Sequence, residues 1–536
     1  MAHRVLVSEA LAPEGSAILR ASPDVVVDER GILKKEELLP IIGDYDALIV
    51  RSGTKVTEEI IAAAKNLKVI GRAGIGVDNI DVPAATRRGI VVMNTPGGNN
   101  VTTAELAISM MLASARHIPQ ANAALRAGRW ERSKFVGSEV MGKTLGVIGL
   151  GNIGRVVADR AMGLQMKVVA YDPFVTEQTK PLAVELVSLD ELYARSDFIT
   201  VHVPLLPETK NLIDTAALAK TKPGVRIVNC ARGGIVDEQA LADAIRSGHV
   251  AGAAIDVFAE EPPKADDPLI ALPQVVATPH LGASTGEAQV NVAIAISEQV
   301  VAFLTRGAIT AAVNMPALTP EQRDVIGPFL VLGEKLGSLA GQLCGIDTPP
   351  CAGAPVEVAI EYSGEVVDHP TKAITAAILR GLLLPMLGAD LNYVSAPVIA
   401  RERGIHVTET TTMQPSDYRN RIAVKVRFSS GTTHEVAGAV FGRSTIRLVK
   451  LDGFSLEAVP DGYILALYNR DVPGVVGRVG TLLGRHHVNI AGLELGREKT
   501  GGQAVSLFHV DDPVPPEVLA ELREAPEIIS AALLRL

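Results

Sequence analysis

Short apolar runs rich in valine and isoleucine alternate with amphipathic stretches along the first 100 residues. Such runs are typical of strands buried in a parallel sheet. They cover residues 4–9, 25–28, 47–51, 69–72 and 90–94. Helical patterns lie between them, for example over 34–42 and 57–64. This alternation predicts a parallel α/β domain at the start of the chain.

A glycine-rich turn marks the beginning of a second α/β segment. Gly149, Gly151 and Gly154 stand in G-x-G-x-x-G spacing between a predicted strand over 144–148 and a predicted helix over 153–164. The first glycine permits the tight turn, the second lets a pyrophosphate approach the backbone, and the third lets helix and strand pack closely. The N-terminus of the helix offers free N–H groups to phosphates. The turn therefore predicts a dinucleotide site.

An acidic residue supports this interpretation. The next predicted strand, 167–171, ends at Asp172, about 20 residues past the glycine turn, where dinucleotide-binding proteins hold the ribose 2′-hydroxyl. A carboxylate at this position would repel a 2′-phosphate, so the sequence favours NAD over NADP.

The alternation then continues to the end of a discontinuous unit. Strand candidates cover 198–203, 226–229, 253–257 and 275–278, and a long helical pattern covers 286–304. Residues 310–316 leave this segment and return towards the first domain. We predict a substrate domain over 1–98 and 292–316 with a Rossmann NAD-binding domain over 99–291 inserted in it. The chemistry is expected in the cleft between the two domains.

Two further domains are predicted after residue 316. Residues 317–460 mix strand-like and helix-like runs without a chemical motif, which indicates an α+β intervening domain, either structural or regulatory. Residues 463–536 follow the order β-α-β-β-α-β, which is the ferredoxin-like arrangement.

Length and charge narrow the function classes. A chain of 536 residues exceeds what one hydrophobic core supports, so roughly three or four domains are expected. The net charge of −9 argues against a nucleic-acid partner. An anionic substrate would therefore need locally placed arginines.

The cysteines and the apolar segments bear on location. Cys230, Cys344 and Cys351 form an odd and scattered set, which predicts no disulfide framework, no metal site and a reducing compartment. The first 15 residues contain no apolar signal core, and the most apolar later stretch, 373–391, is interrupted by charges and a proline. A cytoplasmic location without a membrane partner is the expectation.

Three residues that follow predicted strands suit the oxidation of a 2-hydroxy acid. Arg232 lies beside two glycines, where its fork can hold a carboxylate. His280 suits the role of a base near neutral pH, and Glu261 can orient the imidazole and raise its pKa. All three follow the carboxyl ends of strands, where ligands bind in open α/β sheets. Each alone is also compatible with an ordinary loop or surface residue.

Five motifs together resemble the D-2-hydroxyacid dehydrogenase family, and within it the long, phosphoglycerate-oxidising members. They are GRAGIGVDN (71–79), GLGNIG (149–154), CARGG (230–234), DVFAEEP (256–262) and PHLGAST (279–285). The resemblance covers the whole chain. It implies a flavodoxin-like substrate domain, a homotetramer, and NAD-dependent oxidation of 3-phospho-D-glycerate to 3-phosphooxypyruvate at the start of L-serine biosynthesis. It also implies a side activity that reduces 2-oxoglutarate.

The resemblance assigns roles residue by residue. It implies that Arg232 and Glu261 are catalytic and that His280 is the proton donor and acceptor. Arg51, Arg72, Asn79 and Arg132 match substrate positions, with Arg132 reaching a neighbouring subunit. Besides the three loop glycines, the implied NAD contacts are Asn152, Ile153, Asp172, Val203, Cys230, Ala231, Asp256, Gly282 and Ala283.

The C-terminal unit resembles an ACT domain, a small amino-acid-binding module. By match, Asn469, Asp471 and Asn489 would bind an L-serine effector between paired modules. Asp471 is also placed to N-cap the following helix. The middle segment resembles the intervening domain of the long members, where an anionic effector is expected.

Two alternatives stay open. The chain is compatible with a dehydrogenase for glycerate, hydroxypyruvate or another 2-hydroxy acid, although its arginines and its two extra domains argue against this. NAD-sensing corepressors share the two-domain core and the same three catalytic residue types. The ACT-like unit, absent from those proteins, favours a metabolic enzyme.

Overall fold

Four β-sheets follow one another along the residues that the structure describes. The structure is a computed structural model, and it describes residues 2–181, 183–316, 320–347, 353–388, 391–413 and 417–536. The predicted start of the intervening domain, at residues 317–319, lies outside this part of the chain, as does Cys351.

The first sheet is parallel, in the order β2-β1-β3-β4-β5, which is the flavodoxin-like order. Its apolar strands are buried between helices on both faces. The elements are β1 (His3–Val7), α1 (Pro13–Ala21), β2 (Val25–Glu29), α2 (Lys35–Leu38), β3 (Ala47–Val50), α3 (Glu58–Ala63), β4 (Val69–Arg72), α4 (Val82–Arg87) and β5 (Val91–Met93).

Two helices, α5 (Asn100–Ala115) and α6 (Ile118–Arg126), lead into the second sheet. This sheet is also parallel, in the order β12-β11-β10-β9-β6-β7-β8, with β6 between β7 and β9 as expected of a doubly wound fold. Its elements are β6 (Thr144–Ile148), α7 (Asn152–Gly163), β7 (Lys167–Tyr171), β8 (Glu185–Leu186), α8 (Leu189–Arg195), β9 (Phe198–Val201), α9 (Thr215–Ala219), β10 (Val225–Asn229), α10 (Glu238–Arg246), β11 (Val250–Ile255) and β12 (Val275–Ala277).

The chain then returns to the first sheet. Helix α11 (Gly286–Arg306) packs against α1 so closely that a Cβ on Gly15 would lie 2.7 Å from the Ala293 carbonyl carbon. Ala312 pairs with Met93 at the edge of β5. By length and composition α11 could cross a membrane, which is weak evidence, and its buried residues face the first domain instead.

The third sheet carries the intervening domain, in the order β14-β13-β15-β16-β17-β18. Its two long helices, α12 and α13, pack in close contact at Gly337. A Cβ at this position would lie 2.0 Å from the Ile378 carbonyl oxygen, so the contact requires glycine. The elements are α12 (Pro320–Asp347), β13 (Pro355–Gly364), α13 (Thr371–Leu387), α14 (Ala396–Glu402), β14 (His406–Thr412), β15 (Asn420–Phe428), β16 (Thr433–Phe441), β17 (Thr445–Leu451) and β18 (Phe454–Ala458).

The fourth sheet is antiparallel, in the order β20-β21-β19-β22, and two helices cover it. Its apolar residues belong partly to the same buried cluster as those of α12, α13 and β13, so the last two domains share a core. The elements are β19 (Tyr463–Arg470), α15 (Val475–Arg485), β20 (Ile490–Arg497), β21 (Gln503–Val510), α16 (Pro516–Glu524) and β22 (Ile528–Arg535).

The intervening domain also docks on the first domain. Val394 is buried in the cluster that contains Val91 and Met93 of the first sheet. Beside it the Asn392 side-chain amide donates to the Gly89 carbonyl oxygen at 2.8 Å. The two C-terminal domains are therefore attached to the edge of the first sheet by side-chain packing as well as by the chain.

The predicted fold class is confirmed, with two corrections in detail. The helix predicted over 34–42 shrinks to the single turn of α2, because Pro40 lacks the N–H that would continue the helical hydrogen bonds, although Leu39 before it keeps helical dihedral angles. The cysteine pattern predicted no disulfide framework, but Cys344 is held in a disulfide, whereas Cys230 is a free, buried thiol.

Candidate active site

The glycine turn between β6 and α7 has the geometry that a phosphate-binding loop requires. Gly149 adopts a φ of 91°, which is accessible to glycine at no steric cost. A Cβ on Gly154 would lie 2.0 Å from the Gly149 carbonyl oxygen, so the third glycine lets helix and loop touch. A Cβ on Gly151 would meet no described atom within 4 Å, which leaves its face open to a ligand. Helix α7 begins at Asn152, directly after Gly151, without a side-chain cap, so its first N–H groups are available to a phosphate.

Asp172 is fixed at the end of β7 beside this loop. Its carboxylate accepts hydrogen bonds from the Leu150 N–H at 2.8 Å and from the Phe174 N–H at 2.9 Å. The acid is thus held next to the glycine turn, where the sequence placed the ribose contact.

A cleft of about 450 Å³ opens between the first two domains. Its size is that of a typical small-molecule site. Ten of the predicted site residues line it: Arg72, Asn152, Ile153, Val203, Cys230, Ala231, Arg232, His280, Gly282 and Ala283. The strand ends of both sheets therefore meet at one place, as expected for open α/β sheets.

His280 and Glu261 form a hydrogen-bonded pair at the cleft. The His280 Nδ1 and Glu261 Oε2 atoms are 2.8 Å apart. This bond raises the pKa of His280 above its usual 6.5, in spite of partial burial, which acts the other way. Burial would raise the pKa of Glu261, but the bond to His280 and the Phe258 N–H keep that pKa low overall. The pair can take up a proton on the imidazole near neutral pH.

Asp256 holds the loop that carries His280. Its side chain is fully buried and accepts hydrogen bonds from the Thr278 hydroxyl at 2.6 Å, the Leu281 N–H at 2.8 Å and the Gly282 N–H at 2.9 Å. His280 can therefore adopt the left-handed φ of 55°. Asp256 thus supports the His280 loop, and its predicted contact with the cofactor stays a prediction.

Two guanidinium groups face the cleft. Burial, together with the nearby charge of Arg232, lowers the pKa of Arg72 to about 10. Among the described residues the Arg72 Nε has no hydrogen-bond partner, although the atom is buried. Its Nη1 donates to the Ala73 carbonyl oxygen at 3.2 Å, and the charges of Asp78 and Glu9 partly offset its own. A buried Nε without an acceptor is costly unless a ligand anion reaches it.

The other predicted substrate residues lie outside the cleft lining. Arg51 is close enough for its charge to lower the pKa of Arg72. The Asn79 amide donates to the backbone oxygens of Arg51 and Thr54, both at 2.7 Å. It thereby fixes the loop between β4 and α4, residues 73–81, which we call the substrate loop. Arg132 is exposed on the second domain and does not reach the cleft within one chain. Its role with a neighbouring subunit stays a prediction.

Some cleft residues were not predicted. Asn99, Asn100 and Thr103 line the cleft from the segment that follows β5, and His202 lines it after β9. The strand-end argument used for Arg232 applies equally to these segments and could have found them. Burial lowers the pKa of His202 to about 4, so this ring is neutral.

The predicted effector residues do not converge within one ACT-like unit. Asn469 pairs with Ala504 of β21, whereas Asn489 precedes Ile490, which pairs with Val510. Six residues of strand separate the two positions, about 20 Å at 3.3 Å per residue. Asp471 does not cap α15, which begins after Gly474 without a side-chain cap; its carboxylate accepts from Arg497 and the Gly501 N–H at 3.1 Å.

The fold and the site together define a D-isomer specific 2-hydroxyacid dehydrogenase. The NAD-binding domain of these enzymes matches residues 108–282. Among solved structures, D-lactate dehydrogenase from Aquifex aeolicus, complexed with NAD and lactic acid, is 27% identical with a TM-score of 0.53 and covers 59% of this chain and 100% of its own. NAD-dependent formate dehydrogenase from Staphylococcus aureus, in complex with NAD, is 30% identical with a TM-score of 0.52. The match covers 57% of this chain and 97% of the formate dehydrogenase chain.

Full-length relatives narrow the class. The D-3-phosphoglycerate dehydrogenase intervening domain matches residues 325–452 and the ACT domain matches 463–527. D-3-phosphoglycerate dehydrogenase from Archaeoglobus fulgidus is 46% identical over 99% of this chain and 100% of its own length. The Bacillus subtilis protein of that name is 42% identical over 99% of both. The chain belongs to the D-3-phosphoglycerate dehydrogenase family.

The cofactor of this family, NAD, fits the residues present. The open face at Gly151, the free N–H groups of α7 and the fixed carboxylate of Asp172 offer a pyrophosphate site beside a ribose site. Asn152, Ile153, Val203 and Ala231 continue this surface along the cleft wall.

The charge of Asp172 sets the choice of cofactor. We expect Asp172→Asn to weaken NADH binding and to strengthen NADPH binding, shifting the ratio of the two affinities by about 10- to 100-fold, because one charged hydrogen bond is lost and repulsion of a 2′-phosphate is relieved. Fluorescence titration of both cofactors measures it. Asp159→Asn, an exposed carboxylate on α7, is the control. An unchanged ratio would contradict the assignment.

Proposed function

We propose that the chain oxidises 3-phospho-D-glycerate to 3-phosphooxypyruvate with NAD, which is the entry into L-serine biosynthesis. The observation that carries this proposal is the convergence of two guanidinium groups and a His280–Glu261 pair on one cleft beside the dinucleotide loop. The substrate carries a carboxylate, a reacting hydroxyl and a phosphate, and each of these has a matching group.

Each of the three catalytic residues has a separate role in the reaction. Arg232 holds the substrate carboxylate through charge-assisted hydrogen bonds. His280 accepts the hydroxyl proton, and Glu261 keeps the ring oriented and stabilises its charged form. Bound NAD supplies the two-electron acceptor. In the reverse direction the same imidazole returns the proton.

Arg72 is the group that we assign to the phosphate. It is buried, its Nε is unpaired among the described residues, and Arg51 adds a second positive charge nearby. A lactate or glycerate would leave the buried Nε of Arg72 without an acceptor, which would cost binding energy. Reduction of 2-oxoglutarate and a cytoplasmic location stay predictions.

Initial rates test the function directly. We expect the rate of NAD reduction to be higher with 3-phospho-D-glycerate than with D-glycerate or D-lactate. In the reverse direction we expect NADH to be oxidised in the presence of 3-phosphooxypyruvate. Absence of turnover in both directions, with NADH binding intact, would favour a sensing role instead.

Pairing of chains is also proposed. Two large apolar side chains in the segment that follows α6, Trp130 and Val136, are each 78% exposed, and exposed apolar surface can mark an interaction site. A second copy of the chain, in a homotetramer, would cover them. The separation of Asn469 from Asn489 supports an L-serine site built from two ACT domains, since one domain cannot bring them together.

The Arg72 charge is expected to act on the phosphate alone. Arg72→Gln should raise the KM for 3-phospho-D-glycerate by about 10- to 100-fold, because a charged hydrogen bond is lost, and should leave the KM for D-glycerate nearly unchanged. Steady-state kinetics with both substrates measures this. Arg246→Gln, an exposed arginine on α10, is the matched control. Equal losses for both substrates would contradict a phosphate role.

The His280–Glu261 bond predicts a pH effect. The imidazole must be neutral to accept a proton, so kcat/KM for oxidation should rise with pH through the pKa of His280, which Glu261 raises above 6.5. In Glu261→Gln this acid limb should move to lower pH while kcat falls by about 100-fold. Glu260→Gln, its exposed neighbour paired with Lys264, should leave the profile unchanged. A profile unmoved in Glu261→Gln would refute the pairing.

Serine binding should depend on pairing of the chains. We expect oligomers in sedimentation velocity and an exothermic calorimetric signal with L-serine, weakened about tenfold or more in Asp471→Ala by loss of a charged hydrogen bond. Asp512→Ala, on an exposed loop, is the control. Stoichiometric serine binding by a monomer, or no binding at all, would contradict the shared site.

A further inference from the structure

One carboxylate in the cleft has no role in the account so far. Asp78 belongs to the substrate loop after β4 and lines the cleft. Its Oδ2 accepts a hydrogen bond from the Nε of Arg232 at 2.7 Å, and the two residues come from different domains, 154 positions apart in the chain. A negative charge here is unexpected, because the proposed substrate is itself an anion.

The bond occupies a defined part of the Arg232 guanidinium. Nε is bound to Asp78, and Nη1 donates to the Ala231 carbonyl oxygen at 2.7 Å. Nη2 lies against the loop, since a Cβ on Gly76 would be 1.7 Å from it and 2.9 Å from the Asp78 Oδ2. The fork is therefore held at two points, and its Nη2 end stays available at the cleft.

The loop that carries Asp78 is itself fastened on both sides. The Asn94 amide donates to the Ile75 carbonyl oxygen at 2.6 Å, and Asn79 donates to two backbone oxygens of the same domain. Asp78 is 66% exposed in its side chain, yet its backbone is fixed. A fixed acceptor of this kind can orient a flexible arginine before the substrate arrives.

We propose that Asp78 is a positioning residue for Arg232: it holds the guanidinium across the domain boundary so that its Nη2 end receives the substrate carboxylate. The proposal rests on the proposed function. It differs from competition, in which Asp78 would occupy the carboxylate site and the substrate would have to displace it. The two ideas predict opposite effects on substrate affinity.

Three substitutions separate charge from geometry. Asp78→Asn keeps an oxygen acceptor but loses the charge, and Asp78→Ala loses both. We expect kcat to fall about tenfold in Asp78→Asn and about 100-fold in Asp78→Ala, with a smaller rise in KM, since charge-assisted bonds exceed neutral ones. Asp78→Glu, which restores the charge on a longer arm, should recover part of the kcat lost in Asp78→Ala.

A kinetic isotope effect gives a readout that a merely structural role would not move. With 3-phospho-D-glycerate deuterated at C2, the isotope effect on kcat should increase in Asp78→Ala, because a misaligned Arg232 slows the chemical step. NADH affinity and the melting temperature should equal those of the parent. Asp190→Asn is the matched control, since its bond to Lys220 is also 2.7 Å and its exposure is 69%.

The outcomes are distinct. A lower KM in Asp78→Asn would establish competition and overturn the proposal, as would unchanged kcat and isotope effect in an active enzyme. A parent chain that turns over no phosphoglycerate would overturn the proposed function instead. Equilibrium binding of 3-phospho-D-glycerate to the NADH complex, measured by calorimetry, should weaken in Asp78→Asn and would strengthen under competition.

Discussion

The buried carboxylate of Asp256 is the constraint on which the site depends. It lies just after β11 and accepts three hydrogen bonds from the loop that carries His280. Because the strands are parallel, this loop and the loop of Arg232 leave the sheet at the same edge. The carboxylate, together with the His280 N–H that donates to the Asp256 carbonyl oxygen at 2.9 Å, helps to hold His280 in the left-handed conformation that places its ring beside Glu261.

The electrostatics of the cleft follow from which charges are paired. Arg72 is buried with an unpaired Nε among the described residues, whereas Arg232 is held by Asp78 and Glu261 is held by His280. A buried cationic donor without an acceptor therefore lies at the substrate-domain end of the cleft, with Arg51 nearby and the charges of Asp78 and Glu9 only partly offsetting it. A chain whose net charge is −9 can in this way still attract an anion, because the field close to a site depends on local groups.

The sequence was most informative where local pattern and tertiary role agree. The predicted β6 and β7 match the structure residue for residue, since each is a short, largely buried run that ends at a turn residue, Gly149 or Asp172. Helix α2 was overestimated because the apolar period outweighed Pro40. The sequence identified Asp256 as a site residue but not its burial or its hydrogen bonds to the His280 loop, because the identity of one acidic residue does not indicate how buried it is. The docking of Val394 depends on long-range packing and left no local pattern.

That docked valine bears on how such a chain can be shortened. The solved structures compared above cover 57% and 59% of this chain, so they contain little beyond the catalytic half. In this protein Val394 is buried in the hydrophobic core of the first sheet, and the Asn392 amide donates a hydrogen bond to the Gly89 carbonyl oxygen beside it. Removal of all residues after 316 would expose the apolar surface that Val394 covers and would leave the Gly89 carbonyl oxygen without its hydrogen-bond donor. The catalytic half of this protein is thus completed by its own C-terminal half, and a minimal version would need a substitute side chain there.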